Sequence, residues 1–181
     1  SIGRAPVFSL AYAGAALTAL ALSISTHLMA PFTLLLVAML LVCEAAEVRR
    51  RPLAIRPLIA LAADFAAWAI LFIYRAPADT RADYPWLSTL AVVAIAFLPF
   101  VVTFPGIAWR TARMGLPLSV ADIAHGLMSF AITALALLWM LPSAGAAALG
   151  YLCVALSVGC YAATLGPFRG RAPRINFTVG A

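Results

Sequence analysis

Long apolar runs, broken at short polar or proline-bearing points, set the pattern of this chain. Six such runs lie near Pro6–Met29, Phe32–Val48, Leu53–Tyr74, Trp86–Trp109, Ser119–Leu141 and Ser143–Leu165. Each is long enough, or nearly so, to cross about 30 Å of hydrocarbon as a helix, which takes roughly 20 residues. The apolar positions are continuous and do not alternate. Alanine and leucine dominate them, where a membrane barrel would favour β-branched and aromatic residues. The pattern therefore predicts an all-α fold: a polytopic transmembrane helical bundle of about six spans, forming one domain over residues 1–181. The breaks at Ala30-Pro31, Arg51-Pro52, Tyr84-Pro85, Gly115-Leu116-Pro117 and Leu141-Pro142 place proline where a helix start tolerates its missing N–H. Pro99 and Pro105 fall inside or near the end of the fourth run and predict a kink there.

Charge gives the runs an orientation. The chain has twelve arginines, no lysine and six acids, for a net charge of +6. Arg4, then Arg49, Arg50, Arg51 and Arg56, then Arg110 and Arg113, then Arg169, Arg171 and Arg174 fall on alternate sides of the runs from Arg75 and Arg81. Arginine near span ends is retained on the cytoplasmic face, so both termini are expected inside and the Arg75–Pro85 loop outside. Tyr84, Trp86 and Trp109 stand where amphipathic rings favour the interface.

Composition agrees with lipid as the solvent. Hydrophobic residues make up 65% of the chain and charged residues 10%, too few polar groups to cover a water-facing surface. The arginine clusters flank apolar runs, which points to a membrane and away from nucleic acid. The alanine-rich, lysine-free usage fits a GC-rich bacterial genome, and with it the inner membrane. The run is too long for a typical signal-peptide core and five more follow it, so a cleaved leader fits badly. The start at Ser1 and the tail from Ile175 to Ala181 suggest an excerpt of a longer multi-span chain. Asn176-Phe177-Thr178 matches a glycosylation sequon, but on the expected cytoplasmic side.

Several chemistries lack their residues. Without lysine there is no Schiff base to retinal or pyridoxal phosphate. Cys43, Cys153 and Cys160 stand apart in apolar runs and read as small buried hydrophobes. His27 and His125 are expected about 15–20 Å apart in depth, counting 1.5 Å per residue, which excludes a haem held between them. No HExxH or GxSxG pattern and no glycine-rich phosphate loop occurs. Glu44-Ala-Ala-Glu47 lacks the adjacent glutamates and the histidines of paired-glutamate intramembrane metalloproteases. No cofactor or metal is expected.

Ionisable residues within the runs remain as candidate chemistry, because charge is costly in lipid and faces the bundle interior or a watery cavity. Asp64 is placed about 16 Å deep if the third helix begins at Leu53. It reads as a proton-relay or substrate-contacting acid, or else as a carboxyl hydrogen-bonded to Trp68 or to a hydroxyl of another span. A second group comprises Glu44, Glu47, Arg56, Asp122 and His125, all in one zone nearer the cytoplasm. Asp122 and His125, three apart, share a helix face, where the carboxylate can orient the imidazole. Ser119 with Asp122 also reads as an ordinary helix cap, and Arg56 as an ion-pair partner of Glu44, Glu47 or Asp122.

For packing, Ala11, Ala15 and Ala19, and Ala155, Gly159 and Ala163, are small residues four apart that can bring helices close. The first functional expectation is a non-enzymatic bundle serving assembly, scaffolding or transport, with lipid and other subunits or further spans as partners. The alternative is a proton- or solute-handling protein using Asp64 and the Asp122/His125 group. A lipid-directed membrane enzyme is the second alternative.

Overall fold

The computed structural model describes residues 4–49, 53–79, 81–114 and 118–165, with side chains at Arg4, Ala5, Pro6, Phe8, residues 112–114 and residues 163–165 outside the description. Six helices form the described chain: α1 (Arg4–Ser25), α2 (Met29–Val48), α3 (Arg56–Arg75), α4 (Thr89–Met114), α5 (Val120–Met140) and α6 (Gly145–Leu165). No strand occurs among the described residues. Five of the helices, α2 to α6, are long and apolar enough to cross a membrane. The apolar stretch found in α1, Ser9–Ser25, is shorter.

Helix ends differ from the hydropathy pattern by a few residues, for local reasons. The expected break at Ala30-Pro31 lies inside α2, which starts at Met29. Pro31 falls in the first turn, where backbone N–H groups have no intrahelical partner to lose. His27 makes the α1–α2 turn with a positive φ of 58°, a conformation that histidine adopts more readily than most residues. Helix α3 starts at Arg56, with a proline in its first turn, rather than at Leu53. Asp64 is therefore eight residues in, about 12 Å by helical rise, shallower than expected. Helix α4 runs continuously through Pro99 and Pro105.

Helices α2, α3, α4 and α5 form the centre. Among the described residues, helix α1 packs on α2 and α3, and α6 packs on α5 alone. One apolar cluster joins Ala16 and Ala19 of α1 to Leu36, Leu40 and Cys43 of α2 and Ile59 and Ala63 of α3. The second joins Ile70 and Leu71 of α3 to Val92 and Ala96 of α4 and Ile132 and Ala136 of α5. Small residues do bring the helices together, but mostly not those expected. Ala16 and Ala19 are buried while Ala11 and Ala15 are exposed, and Ala155 and Gly159 of α6 are exposed, with the Ala163 side chain outside the description. Helix α3 buries Ala60, Ala63, Ala66 and Ala67, small side chains that let its neighbours approach. Cys43 and Cys160 are buried, whereas Cys153 is exposed on α6. The sequon and the C-terminal tail lie outside the described residues.

Candidate functional site: a buried polar array

The array starts from a helix cap. Ser119 precedes α5, and its hydroxyl accepts a hydrogen bond from the Asp122 N–H at 3.1 Å. The Asp122 carboxylate accepts in return from the Ser119 N–H at 3.2 Å and from its hydroxyl at 2.7 Å. This reciprocal box fixes Asp122 Oδ2 and leaves Oδ1 to face the neighbouring helices. There it accepts from Arg56 Nη1 of α3 at 2.7 Å and from Arg110 Nη2 of α4 at 2.8 Å.

Glu44 and Glu47 of α2 close the cluster. Arg56 Nε donates to Glu44 Oε1 at 2.6 Å and stands 3.6 Å from Glu47 Oε1. Arg110 Nη1 pairs with Glu47 Oε2 and lies 3.5 Å from Glu44 Oε2. Three carboxylates and two guanidiniums from four helices thus meet in one buried place, with Glu44 only 4% and Arg56 6% exposed. Charge taken out of water needs such partners, and a charge left alone in this position is strongly destabilising. Gly106 makes the fit possible. A Cβ there would overlap Glu44 Oε2 and come within 2.8 Å of its Cδ.

One turn deeper, His125 bridges two helices. Its Nδ1 lies 2.5 Å from Asp64 Oδ2 of α3, and its Nε2 lies 2.6 Å from the Thr103 hydroxyl of α4. Asp64 is 2% and Thr103 1% exposed. Asp64 Oδ1, Glu44 Oε2 and Arg56 Nη2 are buried without a hydrogen-bond partner. A carboxylate, an imidazole and a hydroxyl in line form a unit able to pass a proton, because each group can both accept and release one.

All six sequence candidates therefore meet in one region, though with partners other than some expected. Asp64 does not bond Trp68, which is partly exposed and stacks on Phe72. Asp122 does not orient His125; Asp64 does, because the cap and two arginines occupy Asp122. Arg56 contacts Glu44, Glu47 and Asp122 together. His27 is remote from the array and its ring lies tilted against Tyr84, with ring centroids 4.7 Å apart.

Sequence reasoning missed Thr103, Gly106 and Arg110. Their spacing of three and four places them on one face of α4, and that face was the available signal. Among the described residues no group of histidine, cysteine and acidic side chains is arranged to hold a metal ion. Comparison with known proteins brings no match, whether to a family model, a curated protein or a solved structure.

Proposed function

We propose that this chain is a non-enzymatic, multi-pass membrane bundle that moves protons through the Asp64–His125 pair. The observation that carries the reading is the position of His125, held between a carboxylate and a hydroxyl, both buried, on two other helices. An ionisable pair kept inside a lipid-embedded bundle is costly, and such residues mark ion pathways by default. In the proposed step the His125 Nδ1 proton passes to Asp64. The ring takes a proton at Nε2 from the Thr103 hydroxyl as that hydroxyl accepts one from hydronium, which leaves as water, and Asp64 then gives its proton up on the other side. One proton enters with hydronium and one leaves from Asp64, so charge and protons balance once the ring returns to its Nδ1–H form. The arginine pattern supports six crossings with both ends inside, and the composition supports a bacterial inner membrane.

The ion cluster supports a second reading, in which the array only staples helices. Its five charged groups join α2, α3, α4 and α5, and Asp122 belongs to an ordinary capping box. Flux decides between the two. In liposomes carrying the purified protein and an internal pH dye, a potassium diffusion potential should drive proton entry above that of empty vesicles. His125→Gln should bring entry down to the empty-vesicle level while the protein stays folded. Flux in His125→Gln equal to wild type rejects the proton reading and leaves the staple.

A further inference from the structure

Helix α6 leaves a cleft beside it. Among the described residues it packs on α5 and on no other helix, so α4 and α6 stand apart over the floor that α5 provides. The cleft has a volume of about 390 Å³. Phe100 and Thr111 of α4 mark its two ends, a length of about 16 Å at 1.5 Å per residue. That is the depth of one leaflet, half of about 30 Å of hydrocarbon.

The two ends differ in chemistry. The deep end lies in the middle of α4, α5 and α6, where Phe100 and Phe130 meet with ring centroids 5.9 Å apart and Cys153 completes the lining. The other end lies at the level of the ion cluster, with Thr111 and Asp122 in its wall. Ser157 of α6 is the third polar residue of the lining, and aliphatic, aromatic and cysteine side chains make up the rest. Gly126 keeps the floor low, since a Cβ there would meet only Ile107 Cδ1, at 3.9 Å.

We infer that this cleft is a binding site for one acyl chain of a phospholipid in the leaflet on the ion-cluster side. A void among spans costs the bundle contacts, because its lining has no partner atoms on one side. Water finds few polar groups to bond along most of the cleft, and the solvent around the bundle is lipid. A chain drawn from bulk lipid gains nothing from the hydrophobic effect; it gains contact with the rings, as packed helices do. Polar residues at the leaflet surface and rings at mid-depth match a lipid that enters with its headgroup outermost. The site stands whether or not the array moves protons.

The probe is a phosphatidylethanolamine with a diazirine near the methyl end of one chain, mixed into vesicles of phosphatidylethanolamine and phosphatidylglycerol that carry the full chain. After photolysis, peptide mapping should find the label on Phe100, Phe130 or Cys153 in excess over Val154, which is 61% exposed at the level of Cys153 and stands outside the cleft. Two variants fill the cleft from different walls. Gly126→Leu and Leu156→Phe should each cut cleft labelling about tenfold, or about 1.4 kcal/mol, on the scale of overpacking, with Val154 labelling unchanged. Either variant decides the matter if the other fails to fold. Cleft labelling that persists in a folded, filled variant overturns the site and leaves only the lipid that surrounds any span. So does cleft labelling no greater than that of Val154. An unlabelled cleft in a protein that oxidation joins through Cys153 also overturns it, and seats a second copy there.

Discussion

His125 Nδ1 of α5 stands 2.5 Å from Asp64 Oδ2 of α3, a contact between positions 61 apart in the chain. Replacing Asp64 by leucine removes the partner and leaves a buried ring nitrogen unbonded. Interhelical hydrogen bonds of this kind are worth about 0.5–2 kcal/mol in membranes. Asp64→Leu should therefore lower the melting temperature measured in detergent, while Asp64→Asn, which keeps a hydrogen-bonding group, should not. Equal melting of Asp64→Leu and wild type would show that the contact adds nothing to stability.

Arg110 should matter more. It answers Glu47 and Asp122 directly, and its loss strands buried carboxylates. Arg110→Met is expected to cost about 3–5 kcal/mol, the penalty for an uncompensated buried charge. Adding Glu47→Met should recover part of that loss, because the stranded charge is gone. At the exposed Arg49, the same change should stay within about 0.5 kcal/mol. Unfolding curves of the four proteins check the order.

Gly106→Ala sets helix propensity against packing. Alanine gains roughly 0.5–1 kcal/mol over glycine inside a helix. Here its Cβ would displace the Glu44 carboxylate, which Arg56 holds in place. Overpacking costs about 1–3 kcal/mol. The clash should win, giving a lower melting temperature, and Gly106→Ala with Glu44→Ala should reverse the steric part. A more stable single variant would show that Glu44 moves freely.

Topology is tested by single cysteines in the background lacking Cys43, Cys153 and Cys160. Ala78 and Arg49 are both exposed, at opposite ends of α3. Ala78→Cys should be labelled by an impermeant reagent on intact cells, and Arg49→Cys only after the membrane is opened. The reverse pattern contradicts the orientation read from the arginines.

The helices were legible because lipid demands continuous apolar runs of a set length. Proline and arginine then mark their ends. That Glu44, Arg56 and Asp122 come together was legible for the same reason, since helical rise converts position along each run into level in the bundle. Pairing was not, because hydropathy does not say that α3 and α5 are neighbours, and the Asp64–His125 contact depends on that. Arg110 was hidden by its place at a helix end, where an arginine reads as a membrane anchor. Thr103 and Gly106 were hidden as small residues in an apolar run. Only the face that they share with Arg110 sets them apart.

Asp64→Asn tests the central claim most directly, because it keeps size and hydrogen bonding but removes the group that exchanges a proton. The measurement is proton entry into liposomes under a potassium diffusion potential, made on protein whose melting temperature is also recorded. The account predicts wild-type melting and entry no faster than in empty vesicles. Wild-type entry by the Asn protein would contradict it and leave Asp64 as a structural bond between α3 and α5.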